Sequence, residues 1–233
     1  MLAIFNKELV KSPQELKSPA LSSTKKPKLP EEILNHFISS HSNNAFSMSC
    51  GNRALLAYAP PEKRFSINQS LIRQYGMSKG SNEAMLVIEA YRTLRDRSPY
   101  PADQVLRELD GTFAFVVYDS KAGTVFAALG ANEGVNLYWG IAADGSVVIS
   151  ENLEVIKTSC AKSFAPFPAG CMFHSEHGLM SFEHPTKKMV AMPRIDSEGV
   201  MCGANFKVDA QSRIHSMPRV GSEANWATWG SHA

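Results

Sequence analysis

The residues best suited to chemistry form a short inventory. Cys171, His174, His177 and His184 lie close together in the sequence, and thiolate and imidazole are the usual zinc ligands. Zinc sites, however, pair ligands two to four residues apart in both halves, whereas His174 and His184 flank what reads as an ordinary hairpin. We expect surface and strand-edge histidines and no bound metal. Neither GxGxxG nor a GxxxxGKS/T run occurs, so no phosphate loop and no cofactor is expected. Ser81, Asn82 and Glu83 stand at the start of a long helical pattern, where Ser81 or Asn82 suits the N-cap and Glu83 the positive end of the helix dipole. Arg95, Asp96 and Arg97 close that helix and read as a solvated end complementing its dipole.

Those residues need a scaffold, and 233 residues at 44% hydrophobic suffice for one sizeable core. The expected organisation is one domain over 1–210, with 11–30 as a mobile surface connection and 211–233 as a disordered tail. Twenty-four basic and 22 acidic residues give a net charge of +2, which supplies no drive toward nucleic acid. Basic and aromatic residues are not interleaved either, so no nucleic-acid partner is expected. No apolar run approaches the ~18 residues of a membrane span, and MLAIF is too short for a signal peptide. The four cysteines form no CxxC pair, consistent with reduced thiols in the cytoplasm, and also the nucleus.

Strand patterns centre on 109–140. Phe113 to Tyr118, Thr124 to Leu129 and Leu137 to Ile141 read as successive strands, the first two joined by a hairpin at Asp119–Gly123. FAFVVY lacks polar interruption and is expected at a sheet centre with both faces covered. MLAIF reads as a strand starting at the first residue, either a buried N-terminal strand whose first side chains matter or simply an edge strand tied into the sheet. Further strands are expected at 46–48, 54–58, 146–150, 171–174 and 179–182, with a loop at 164–170. Helices are expected at 30–41, 82–95, 102–109 and 151–158, the second burying Met85, Ile88, Ala90, Tyr91 and Leu94. Residues 59–75 show no clear pattern.

In this order, Gly80-Ser81-Asn82-Glu83, LDGTFAFVVYD, LYWG, SENLEVIKT and FPAG resemble the second half of a class II glutamine amidotransferase domain, as at the front of asparagine synthetases. The resemblance runs from Lys79 to Pro185. MLAIF, SPQELKSP, Tyr75-Gly76-Met77, Leu94-Arg95-Asp96-Arg97 and CGANFKVDA are similar to a plant family of aluminium-induced, stem-specific proteins with YGL and LRDR motifs. YGL departs by one residue, with Met77 for Leu. Together these resemblances imply an α+β fold, the four-layer αββα sandwich of N-terminal nucleophile hydrolases, and a stress-induced protein.

Amidotransferases of this class attack the glutamine amide with a Cys that follows the initiator Met. Here that position is Leu2, which has no nucleophilic atom and whose bulk disfavours Met1 removal. No counterpart of their oxyanion Asn-Gly pair or carboxylate-binding Arg-Gly segment is found, and 59–75 is too short for a central strand of the relatives. The expectation is a catalytically silent relative with no catalytic residues. Ser81, Asn82 and Glu83 would be remnants of an amine site for a small amino-acid-like ligand, and the partners would be other proteins or further copies. The alternative is an amide hydrolase using Cys50 or Cys171. Cleavage before Cys50-Gly51 would create a nucleophile-first terminus, but would discard the first strand.

Overall fold

The computed structural model describes residues 1–18, 26–41, 44–60, 83–96, 102–109, 111–195 and 199–212. In chain order the elements are β1 (Leu2–Phe5), α1 (Pro30–Ser40), β2 (Phe46–Cys50), β3 (Ala54–Tyr58), α2 (Glu83–Asp96), α3 (Ala102–Glu108), β4 (Ala114–Asp119), β5 (Thr124–Leu129), β6 (Tyr138–Ile141), β7 (Val147–Ser150), α4 (Leu153–Cys160), β8 (Phe164–Pro166), β9 (Cys171–His174), β10 (Gly178–Ser181), β11 (Met189–Ile195) and β12 (Met201–Val208). The fold is mixed α+β with antiparallel sheets.

One sheet has the order β2-β3-β1-β7-β6-β8, another β10-β9-β5-β4, and β11 pairs with β12. The first strand is therefore interior and buried, not the edge strand of the alternative reading. Its sequence explains the position: Ala3 and Phe5 join the cluster shared with Val125, Trp139 and Phe173, while Leu2 and Ile4 join Ile33 and Phe37 of α1 and Val155 and Ile156 of α4. A strand apolar on both faces is stable only where both faces are covered. The two sheets meet through Phe5–Tyr118 and Trp139–Phe173, with ring centroids 6.1 and 5.5 Å apart. On the other side of β4 and β5, Ala90 and Tyr91 of α2 and Val105 and Leu106 of α3 pack with Phe126, Met172 and Phe182.

Several expectations shift. FAFVVYD does have apolar neighbours on both faces, but β4 ends its sheet among the described residues and is half-buried along most of its length. The fully buried strand of this sheet is β5, TVFAAL, which lies between β4 and β9 and whose alanines allow close packing. Helix α2 buries Leu86, Ala90 and Tyr91, whereas Met85 and Ile88 are 49% and 45% exposed. Its rotation is fixed by the Tyr91 hydroxyl, which donates to Asp119 Oδ2 at 3.4 Å and lies 3.2 Å from Thr124 Oγ1. The hairpin expected at 119–123 is present: Asp119 Oδ1 accepts from the Lys121 and Ala122 N–H groups, and Gly123 takes φ +68°.

Part of the expected loop 164–170 is strand β8, paired with β6. Within the expected connection 11–30, Gln14–Leu16 form a turn of 3-10 helix and Leu16 is fully buried. The pair β11–β12 adds to the strands expected from the sequence, and Cys202, Ala204, Phe206 and Val208 alternate along β12 at strand period.

At the β2 edge the inner sheet face runs beyond its cover. Phe46, Met48 and Tyr58 are 68%, 58% and 50% exposed, and Phe46 pairs across from Tyr58 while Met48 pairs across from Leu56. These residues share a face with Ala54, which is buried in the inter-sheet cluster. The Phe5–Tyr118 contact puts β4 opposite β1, and Cys50 at the far end of β2 still packs against the inter-sheet cluster, so the open part of this face lies at Phe46 and Met48.

Candidate functional site

The corner where β1 begins is the place to look for a nucleophile. Leu2 pairs with Ala57 on one side and Ser150 on the other. Its side chain is 2% exposed, turned to the apolar cluster under α1 and α4. The Met1 α-amine is hydrogen-bonded to the Glu151 carboxylate. Ser150 Oγ donates to the Met1 carbonyl at 2.8 Å and accepts from the Asn152 N–H at 3.1 Å. That hydroxyl is fully buried and its proton is committed to a carbonyl, so it is not poised to attack an amide. Asn152 then caps α4, its Oδ1 accepting from the Glu154 and Val155 N–H groups. Thus Ser150-Glu151-Asn152 ties the chain start to a strand end and a helix start. The role of Glu151 was missed in the sequence; the only signal was a carboxylate placed directly after a buried strand.

The glycine of LYWG has a steric reason. A Cβ on Gly140 would fall 2.7 Å from Cys160 Sγ and 2.9 Å from the Ser163 carbonyl, so β6 can approach the end of α4 only without a side chain there.

The alternative thiols differ in setting. Cys171 is 1% exposed, and burial pushes its thiol up to about 12, with a hydrogen bond to Ser181 opposing and Glu183 adding. Burial raises the Cys160 thiol as well. Neither offers a thiolate near neutrality. Cys50 is half-buried at the end of β2. The raised Cys171 value predicts alkaline sensitivity. Its stabilising protonated state is fully favourable below the ordinary value of 9.0 and is lost as pH rises toward about 12. Urea unfolding is expected to show roughly 2 kcal/mol lost through this group by about pH 10.5, and Cys171→Ala should shrink the difference between pH 8 and that pH.

Of the histidines considered for metal binding, His174 and His177 come together, with rings stacked at 4.5 Å and 18°, and Glu176 joins them. Burial, with His177 adding, lowers His174 to about 4; burial also lowers His177, against an opposing push from Glu176. Cys171 and His184 are not part of this group.

Ser81, Asn82, Tyr75, Gly76 and Arg97 lie outside the described residues, as do the side chains of Glu83, Leu94, Arg95 and Asp96, whose backbones belong to α2. Among the described residues, no helix is long and apolar enough to cross a membrane.

Comparison with known proteins bears on this corner. A family described as aluminium induced protein matches residues 2–71 and 64–208, two stretches that overlap at 64–71. A stem-specific protein of Nicotiana tabacum is 36% identical over 148 residues, covering 55% of this chain and 99% of that protein. Asparagine synthetases (glutamine-hydrolysing) of Dictyostelium discoideum and Triphysaria versicolor are 45% and 37% identical over 74 and 107 residues. These stretches cover 32% and 46% of this chain but only 13% and 18% of the synthetases. The similarity falls in their glutamine amidotransferase region.

Proposed function

Since the chain belongs to the aluminium-induced protein family, we propose that it is a catalytically silent relative of the class II glutamine amidotransferase domain, serving stress responses as a binding or scaffold protein. The observation that carries this reading is Leu2, which stands where such enzymes place their nucleophile and is buried in an apolar cluster. An N-terminal-nucleophile mechanism needs a thiol or hydroxyl beside a free α-amine. At this corner the amine is engaged by Glu151, and Ser150 Oγ by backbone groups.

The fold assigned with this reading is the four-layer αββα sandwich. It is supported by the core shared between the two sheets, and by α1 with α4 and α2 with α3 packing on their respective strands. A segment after β3 shorter than in the relatives, as the sequence suggests, would account for the overlap of the two matched stretches at 64–71. A chimera restoring the relatives' segment should melt higher, and no gain would contradict that shortening.

The binding role is supported by the open apolar face of Phe46, Met48 and Tyr58, since exposed apolar patches mark interaction sites. A homo-oligomer or protein complex using this face should dissociate in a Phe46→Ser, Met48→Ser double variant by light scattering; unchanged mass would argue against it. An amino-acid-like ligand at Ser81, Asn82 and Glu83 would appear as calorimetric binding of glutamine or asparagine that Glu83→Ala abolishes, and an absence of heat would remove it. Four free cysteines suit the cytoplasm and nucleus, which a fluorescent fusion tests.

Thiol labelling tests silence against the alternative enzyme. With intact-mass detection, Cys50 should label at the same rate with or without glutamine, and Cys171 only after unfolding. Protection of either by glutamine would favour a cysteine hydrolase.

A further inference from the structure

The turn between β9 and β10 carries a cluster that the proposed function does not use. We infer that His174, Glu176 and His177 chelate a borderline divalent cation of the Zn²⁺ or Ni²⁺ class. Each contributes one ligand atom, and these atoms lie within 4.8 Å of one another. Two imidazoles and a carboxylate are a ligand set that zinc accepts, with a further position left for water or a ligand. Mg²⁺ and Ca²⁺ prefer oxygen shells and are disfavoured by the two imidazoles.

The cluster is held in place by its backbone. Ser175 N–H donates to the Val125 carbonyl at 2.9 Å, and Val125 N–H donates to Ser175 Oγ at 3.0 Å. His177 N–H donates to the His174 carbonyl at 3.1 Å, closing the turn. The His174 ring meets Phe126 edge-on with centroids 6.3 Å apart and stacks on His177. The backbone bonds limit the conformational freedom lost on chelation, whereas the near-parallel ring stack has to open, one imidazole turning, so that both in-plane lone pairs converge on one ion. Zinc bonds of about 2.0–2.2 Å require the donor atoms to close in, and the exposed Glu176 carboxylate already lies 3.8 Å from His177 Nε2. Glu176 N–H donates to His174 Nδ1 at 3.2 Å, a long hydrogen bond that a cation on that nitrogen would replace.

The carboxylate completing this trio sits between the two histidines, in the run His174-Ser175-Glu176-His177, and is invisible to a search for paired Cys and His ligands. Neither the family similarity nor the proposed silence of the β1 corner bears on it.

Titration of the reduced full-length chain with Zn²⁺ alone, followed by calorimetry and thermal melting, tests the assignment. The expected result is a single saturable site and a zinc-dependent rise in Tm. His177→Ala and Glu176→Gln, shown to be folded by circular dichroism, should weaken binding by at least ~10-fold, the lower end of what lost support for a metal costs. His184→Ala and Cys50→Ala should bind as the parent does. Absence of saturable binding at millimolar Zn²⁺, equal affinity in His177→Ala, or loss of binding in Cys50→Ala would overturn the assignment.

Discussion

Trp139→Ala is expected to cost about 3–5 kcal/mol, the range for removing a large buried aromatic side chain. The indole is fully buried where the two sheets and β12 converge. Phe167, Phe173 and Phe206 surround it at centroid separations of 5.2, 5.5 and 5.3 Å, all steeply inclined. Edge-to-face contacts add to the area term, and no nearby chain can collapse into a space walled by three other rings. One aspect of the site runs the other way: among the described residues Trp139 Nε1–H has no hydrogen-bond partner. Trp139→Phe, which removes that buried donor along with part of the ring, should therefore lose much less than Trp139→Ala. Denaturant unfolding of both variants measures the contrast, and equal losses would contradict this account of the core.

Gly203→Ala should be nearly as damaging, at about 2–5 kcal/mol, because strain and collision add. Gly203 takes φ +71°, and a Cβ there would fall 2.5 Å from the Phe164 carbonyl oxygen. That carbonyl cannot move aside freely, since Arg194 Nη2 donates to it at 2.7 Å while Nε donates to the Cys202 carbonyl at 3.1 Å. The same guanidinium stacks 4.1 Å over the Phe164 ring. Together these contacts fasten β11 and β12 to β8. Gly178 provides the control: it has φ +79° but nothing within 4 Å of an added Cβ. Gly178→Ala should show only the conformational penalty, of roughly 1 kcal/mol. Melting temperatures that fail to separate the two glycines would contradict the close approach at Gly203.

These two sites also mark the limits of what could be read from the sequence. LYWG was recognisable as a strand, and the apolar runs at 113–118 and 124–129 were placed within a residue of β4 and β5. What the runs did not encode is their order in the sheet. FAFVVY and TVFAAL are both uniformly apolar, so periodicity could not tell the outer strand from the inner. MLAIF was likewise legible as a strand, yet only its two covered faces reveal that it lies between β3 and β7. For α2, several apolar residues compete for the buried stripe, and a polar anchor at Tyr91 chose Leu86 over Met85. The strand pair β11–β12 was obscured by Pro193, Arg194 and the glycines at 199 and 203, although β12 alternates clearly.

The site was legible mainly by subtraction. Leu2, on which the proposed silence rests, is visible in the sequence itself, whereas burial of its side chain toward α1 and α4, the engagement of the α-amine by Glu151 and the hydrogen bonding of Ser150 Oγ require the three-dimensional register of β1 against β7. The histidine and glutamate cluster needed the β9–β10 turn, because its carboxylate is no landmark on its own.

Ammonia release from L-glutamine by the purified full-length chain tests catalytic silence most directly. The account predicts no release above a protein-free control, for the parent chain and for Cys50→Ala and Cys171→Ala alike. Release that scales with protein concentration and disappears in either cysteine variant would contradict it.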